Sequence, residues 1–210
     1  MHVCIINQNA SLRQVKICIT ISHMQEQEQA PKKKDGFFEM IRFILMAVAI
    51  VLPIRILVAQ PFIVSGSSMI PTFENNEYLI VDQLTYRFDE PKRGDVIVFR
   101  FPLDTSKFFI KRVIGLPNET VSIKDGNVTI TTVEDEEVIL DEPYVNNIAK
   151  DTMSVTLKSN EYFVMGDNRL ASSDSRSWGV LPKDKIMGKA FVRLLPVESI
   201  DFHPGEYRFE

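Results

Sequence analysis

An uninterrupted apolar run dominates the N-terminal third of the chain. Residues 43–54 read FILMAVAIVLPI and carry no charge, and the apolar character resumes after Arg55 and continues to residue 59. The stretch 41–59 has 19 residues, close to the roughly 20 that cross a bilayer as a helix. Arg55 lies near one end, where a long side chain reaches the headgroups. The pattern predicts a single transmembrane helix over residues 37–60, with a buried core helix or a re-entrant segment as the alternative.

The charges before this run predict its orientation. A lysine cluster at 32–34 and Arg42 lie on its N-terminal side, and positive residues favour the cytoplasmic face of a membrane. We therefore expect a flexible cytoplasmic tail over residues 1–36 and place residues 61–210 on the outer face. Both cysteines, Cys4 and Cys18, fall in the tail, which is the reducing side in this arrangement.

Short β-prone runs separated by turn residues fill the rest of the chain, which predicts a mainly β fold. An Asp-Gly pair at 125–126 separates two of these runs and predicts a hairpin. No long amphipathic helix is evident after residue 65. Residues 134–160 are more acidic and polar than their surroundings and are typical of an insertion. The predicted strands are 78–82, 95–101, 108–115, 120–124, 128–133, 138–140, 155–157, 161–165 and 189–195.

Composition excludes several classes of function. The net charge is -4 and no basic stripe is present, so we expect no nucleic-acid partner. Only three histidines occur, and residues 61–210 contain no cysteine, so we expect no metal site and no cofactor. A Ser-His-Asp triad has only His203 available after the apolar run.

A turn of small residues is the first segment with candidate chemistry. Residues 65–72 read Ser-Gly-Ser-Ser-Met-Ile-Pro-Thr. Gly66 permits a positive φ, and Pro71 favours an extended conformation at Ile70. Such a turn exposes a hydroxyl beside a backbone N–H, the pair that acyl transfer requires. A plain surface turn has the same composition, so this segment alone leaves both interpretations open.

The second segment with candidate chemistry is an apolar strand that contains a lysine. Lys111 lies in the run KFFIKRVIG at 107–115, where burial lowers the pKa of an amine. A fall in the pKa of about 3 units from roughly 10.4 corresponds to about 4 kcal/mol and would make Lys111 a general base near neutral pH. An edge strand from which Lys111 reaches solvent is the alternative.

The third segment is a polar loop at 166–179, GDNRLASSDSRSWG. Asp174 and Arg176 are spaced to pair directly or to brace a neighbouring strand. Trp178, the one tryptophan of the chain, follows at once, which favours a loop packed onto the body over a solvated one.

Together the three segments resemble the signature motifs of bacterial type I signal peptidases. The order agrees: an apolar anchor, Ser-Met-x-Pro-Thr, Lys-Arg in a strand, then Gly-Asp-Asn-Arg followed by Ser-x-Asp-Ser-Arg-x-Trp-Gly. The resemblance covers roughly residues 60–196, and the single anchor is similar to the Gram-positive branch. It implies an antiparallel β catalytic domain with a smaller inserted β region, at about residues 118–160 here.

The resemblance also implies roles for particular residues. Ser68 is the nucleophile and Lys111 the general base. Ser172 corresponds to the hydroxyl that orients the lysine amine, while Asp174 and Arg176 correspond to a structural pair that supports the site.

Three places depart from the pattern: Gly66, Leu170-Ala171 in place of residues that are usually polar, and Asn118 where a Gly often follows Leu-Pro. Some family members carry a hydroxyl residue at Gly66 that helps to bind the oxyanion, so the Ser68 N–H must do more here. We assign substrate contacts to the apolar neighbours of the dyad, Met69, Ile70 and Ile110.

The function implied is a membrane-bound serine endopeptidase that removes N-terminal signal peptides from exported preproteins through an acyl-enzyme, without a cofactor. Its expected partners are signal peptides, the lipid bilayer and the secretion translocon. Ser68 lies about 8 residues beyond the anchor, at most roughly 26–29 Å of extended chain, which keeps the site near the outer bilayer surface. A soluble Ser-Lys self-cleaving regulator, a tethered peptide-binding domain, and a dyad with His203 as base are the alternatives.

Overall fold

The computed structural model describes residues 36–57 and 59–209, so the predicted tail lies almost entirely outside the described residues. The first element is helix α1, Gly36–Leu57, of 22 residues. No helix in the described ranges has both the length and the apolar character that crossing a membrane requires. The predicted span over 37–60 is therefore not confirmed, and its last two residues belong to the first strand instead.

The described chain after α1 is built mainly of strands, as predicted. They are β1 Ala59–Ile63, β2 Tyr78–Asp82, β3 Val96–Phe101, β4 Asp104–Gly115, β5 Thr120–Lys124, β6 Asn127–Thr131, β7 Glu137–Ile139, β8 Thr152–Thr156, β9 Glu161–Met165, β10 Leu181–Pro182, β11 Ile186–Leu195 and β12 Asp201–Phe202. Two helices of four residues, α2 Thr85–Phe88 and α3 Ser175–Trp178, and three 3-10 turns, Arg169–Ala171, Lys183–Lys185 and Val197–Ser199, lie between them.

The larger sheet has the order β1-β2-β11-β3-β4-β9-β10, and β12 pairs with β11. Every pairing in it is antiparallel. Its central strands β3 and β4 are buried on both faces over 96–99 and 111–115. Strands covered on both faces read as continuous apolar runs, which is why alternation along β4 did not reveal which side chains point inward.

A smaller antiparallel sheet, β7-β6-β5-β8, lies between β4 and β9 in the sequence. The predicted hairpin turn is confirmed: Asp125 and Gly126 join β5 to β6 with φ of 50° and 87°, the positive pair that a two-residue hairpin turn favours. One apolar cluster joins this sheet to the larger one, through Ile114, Val121, Ile123, Val128, Ile130, Leu140, Leu157, Phe163 and Met165.

A second apolar cluster underlies the segment that follows β1. It contains Val64, Met69, Phe73, Leu79, Val96 and Ala190. Burying each large side chain in it contributes about 1.5–3 kcal/mol. This packing fixes the turn that carries Ser68 against the larger sheet.

Candidate active site

Ser68 lies on a turn that is held at both of its ends. Before it, the amide of Val64 donates to the carbonyl of Glu77 at 2.9 Å. After it, Phe73 N–H donates to the carbonyl of Met69 at 2.9 Å. Between them Gly66 adopts a φ of +104°, which residues with a Cβ rarely adopt. These contacts fix the backbone of the turn that carries Ser68.

Lys111 meets Ser68 from strand β4. Its Nζ lies 2.7 Å from Ser68 Oγ and 2.8 Å from the carbonyl oxygen of Ile110, and only 4% of the residue is exposed. Burial lowers the pKa of Lys111 from 10.5 to about 8, while the charges of Asp174 and Asp167 oppose that fall. A serine hydroxyl therefore contacts an amine that gives up its proton more readily than an exposed lysine does.

The polar loop at 166–179 packs directly against the Ser68 turn. A Cβ added at Gly166 would lie 2.4 Å from the Ser68 carbonyl oxygen and 2.3 Å from Ser172 Oγ, so this close approach requires glycine. Asn168 N–H donates to the Ser68 carbonyl at 3.0 Å, and its side-chain amide donates to the Ser67 carbonyl at 3.0 Å. The loop thereby fixes the backbone of the Ser68 turn.

Ser172 lies at this junction without the bond that we expected. Its Oγ is buried and has no hydrogen-bond partner among the described residues. The expected hydrogen bond from Ser172 to the amine of Lys111 is therefore not formed in this arrangement.

Asp174 and Arg176 pair through two parallel hydrogen bonds. Arg176 Nε and Nη2 each donate to Asp174 at 2.8 Å. Asp174 is fully buried and also accepts from the Gly166 N–H at 3.0 Å. Burial alone would raise the pKa of Asp174, but the hydrogen bonds and charge of Arg176 hold it below its ordinary value. The pair fixes the start of the loop, at Gly166, behind Lys111.

A second buried ion pair was missed by the sequence analysis. Arg112 Nε and Nη2 donate to the two carboxylate oxygens of Asp167 at 2.9 and 2.6 Å. Thr72 Oγ1 donates to the same carboxylate at 2.5 Å, which ties the Ser68 turn to the loop. A signal was present: Arg112 is a second cation in an apolar strand, and a buried charge requires a partner.

A cavity of about 500 Å³ lies beside the dyad. It is lined by Phe62, Ile63, Val64, Ser65, Gly66, Ser67, Ser68, Leu79, Val98, Lys107, Phe108, Phe109, Ile110, Lys111, Ala171 and Ser173. Of the predicted substrate contacts, Ile110 lines it. Met69 and Ile70 do not, because Met69 is only 1% exposed in the core and Ile70, 38% exposed, lies outside the cavity lining.

Other catalytic groups are placed elsewhere. His203, the alternative base, packs edge-on against Phe191 with 5.2 Å between ring centres and lines a different cavity. Within the described part of the chain, no three His, Cys, Asp or Glu side chains gather as metal ligands would.

Comparison with known proteins assigns the family. The model of the family described as signal peptidase, peptidase S26, matches residues 37–195. The chain belongs to this signal peptidase family. The probable signal peptidase I-2 of Synechocystis sp. is 36% identical over 82% of this chain and 82% of its own length. The signal peptidase I of Leptolyngbya laminosa is 38% identical over 81% of this chain and 85% of its own.

The chain also has similarity to a solved structure. A crystal structure of a signal peptidase I from Enterococcus faecalis V583 has a TM-score of 0.42 and 31% identity, covering 48% of this chain and 97% of that one. The resemblance and the enzyme class predicted from the motifs, a serine endopeptidase of the signal peptidase I type, are confirmed by the family and by the relatives. As a member of this family, the chain removes signal peptides.

Proposed function

We propose that Ser68 and Lys111 form a Ser-Lys catalytic dyad. Neutral Lys111 takes the Ser68 proton as Oγ adds to the scissile carbonyl. The resulting ammonium protonates the leaving amine, which departs and leaves an acyl-enzyme on Ser68. Lys111 then activates the water that hydrolyses this ester. The observation that carries the proposal is the 2.7 Å contact between a buried amine and a serine hydroxyl at the edge of a cavity.

The oxyanion requires a donor that is not already engaged. Gly66 N–H donates to Asn75 Oδ1 at 2.9 Å. The Ser68 N–H makes no hydrogen bond to another described residue. We assign oxyanion stabilisation to Ser68 N–H, since a donor on the nucleophile itself is already placed where the charge develops.

We propose that the substrate is the cleavage region of an exported preprotein, with small residues at −1 and −3. Phe62, Phe108 and Ile110 give the cavity apolar walls, which suit the small apolar side chains of such a site. An extended substrate pairs with an exposed strand through main-chain hydrogen bonds. Asp174 and Arg176 act in support, by holding the loop that meets the Ser68 turn, and Ser172 acts in support by packing against Gly166.

We propose further that residues 37–60 attach the enzyme to the cell membrane, with residues 1–36 in the cytoplasm and residues 61–210 on the outer face. Apolar side chains along α1, including Phe43, Leu45 and Ile50, are exposed, and exposed apolar surface of this extent indicates a membrane or protein contact. The bilayer and the secretion translocon are then its partners. Retention in the membrane pellet after alkaline carbonate extraction, lost on deletion of 37–57, tests the attachment.

Cleavage of a secretory preprotein in detergent tests the dyad. Wild type is expected to cut after a small-x-small site, and Ser68→Ala and Lys111→Ala are each expected to lose almost all turnover. His203→Ala is the control and should cut at the wild-type rate. Cleavage that survives Lys111→Ala but not His203→Ala would replace Lys111 as the base, and cleavage that survives Ser68→Ala would refute the nucleophile.

A further inference from the structure

The segment 204–209, here called the strap, lies beyond the residues that match the family model, which end at 195. It nevertheless reaches the network behind the dyad. The carbonyl oxygen of Gly205 accepts a hydrogen bond from Arg112 Nη1 at 2.5 Å. Arg112 Nη1 also donates to the carbonyl of Gly94 at 2.9 Å. The strap thus supplies one of the acceptors that satisfy a buried guanidinium.

The strap lies tightly against the body of the enzyme. A Cβ added at Gly94 would lie 1.8 Å from the Tyr207 carbonyl oxygen, so the two backbones are in direct contact. Pro204 is buried. This segment occupies one defined path and leaves no room for a larger residue beneath it.

Three aromatic rings hold the strap in place. Tyr207 and Phe209 are 4.9 Å apart between ring centres and both contact Tyr144, at 5.4 and 6.5 Å. Edge-to-face aromatic pairs of this kind stabilise the packing beyond what their buried apolar area contributes. Tyr144 in turn lies against Arg112, whose guanidinium carbon is 3.8 Å from the ring centre. The Tyr207 and Phe209 rings therefore fix the position of the Tyr144 ring that contacts the Arg112 guanidinium.

The connection from Arg112 to the nucleophile is short. Arg112 holds Asp167 through two hydrogen bonds. The next residue, Asn168, donates its N–H to the Ser68 carbonyl at 3.0 Å. Lys111 precedes Arg112 on the same strand. A displaced Arg112 would thus disturb both partners of the dyad, one through Asp167 and Asn168 and one through the strand.

We propose that the strap is a positioning element of the active site, with Tyr207 and Phe209 as the residues that seat it. Through Gly205 and Tyr144 it fixes the Arg112 guanidinium, and through Arg112 it keeps Ser68 aligned with Lys111. The proposal rests on the proposed dyad. The strap makes no contact with substrate in this proposal. Loosening the strap should therefore lower kcat and leave substrate binding unchanged.

The test compares Tyr207→Ala/Phe209→Ala with wild type on one preprotein substrate. We expect kcat to fall by about tenfold to a hundredfold, the effect of misplacing a reacting group by a fraction of an ångström to an ångström, while KM stays within about twofold. Tyr207→Phe keeps the ring and should restore the wild-type rate. Arg208→Ala is the matched surface control, since the Arg208 side chain is 87% exposed, and it should also be unchanged.

The pH profile separates positioning from simple loss of folding. The carboxylates of Asp167 and Asp174 face Lys111, and Arg112 and Arg176 balance them. Loosening Arg112 leaves the Asp167 charge less balanced and admits water, and both changes raise the pKa of Lys111. The acid limb of kcat/KM should therefore move to higher pH in the double variant.

Two outcomes overturn the proposal, and a parallel variant tests the dyad on which it rests. A folded double variant that keeps kcat within about twofold of wild type overturns the proposal. So does a loss that follows the folded fraction and leaves the pH limb in place. If the double variant is too unstable to assay, Tyr207→Ala alone is scored by the same criteria. Ser68→Ala runs in parallel: if it cuts like wild type, the dyad itself is wrong, whatever the strap variants do.

Discussion

The buried amine of Lys111 destabilises the folded protein, and a neutral side chain of similar length at this position removes that destabilisation. Folding takes the Lys111 amine from water, where its pKa is 10.5, to a site where its pKa is about 8. At roughly 1.4 kcal/mol per pKa unit, the charged amine costs about 3 kcal/mol in the folded protein. Replacement by methionine removes this cost but also leaves Ser68 Oγ and the Ile110 carbonyl without their contacts to Nζ. Each lost contact opposes the gain by about 1 kcal/mol.

The pH dependence of the free energy of unfolding separates the cost of burying the charged amine from the loss of these two contacts. Below pH 8 the amine is protonated in both states and the cost is fully present. Between pH 8 and 10.5 the unfolded chain binds more protons than the folded one, so the stability of the wild type rises relative to Lys111→Met as pH increases. Above 10.5 both states are neutral and the cost is gone. The free-energy difference between the two proteins should therefore change by about 3 kcal/mol from pH 7 to pH 10.5.

Urea unfolding followed by Trp178 fluorescence measures this difference. Trp178 packs against Phe99 and Phe101, so its emission reports the folded core. Lys107→Met is the matched control, because it removes an amine from the same strand whose side chain is 65% exposed and stays largely in contact with water. Parallel curves for wild type and Lys111→Met over this range would refute a desolvated amine. An inactive Lys111→Met that shows the expected change would support it.

Three further predictions concern activity and packing. The acid limb of kcat/KM should have an apparent pKa near 8, with activity lost as pH falls and Lys111 becomes protonated; a limb near 6 would point to another base. Gly166→Ala should abolish most cleavage, since the added methyl would lie 2.4 Å from the Ser68 carbonyl oxygen, and a steady-state assay at unchanged folded fraction checks this. Asp167→Asn should lower the free energy of unfolding by about 3–5 kcal/mol, because it leaves Arg112 buried without its counter-charge; a loss below about 1 kcal/mol in urea unfolding would contradict this.

Apolar patterning predicted the positions of most strands, but it missed β1, β10 and β12. The bounds of β2, β5 and β9 are those predicted from their β-prone runs, because each run ends at turn residues. Strand β4 begins earlier than predicted, at Asp104, because its polar first residues already pair with β3. Asp104 lies opposite Phe101 at the end of β3. Such pairing is decided by a neighbouring strand, so the composition of the segment does not reveal it.

Placement of the site residues was only partly accessible from the sequence. The motif positions of Ser68 and Lys111 were enough to predict that they meet. The burial of Lys111 could not be predicted from the sequence, because both faces of β4 are apolar. Met69 was expected to contact substrate as a neighbour of the nucleophile, yet its backbone direction turns it into the core. The partner of Arg112 is 55 residues away, a distance over which local pattern gives no information.

The order in which the parts of the site occur along the chain determines when it can work. Lys111 lies 43 residues after Ser68, and the Asn168 side chain, which donates to the Ser67 carbonyl, lies 101 residues after Ser67. The proposed dyad and the contacts that hold it are therefore incomplete until residue 168 has left the ribosome. Assembly of the site is therefore a late event in the making of the protein, because these contacts cannot form until most of the chain has been synthesised.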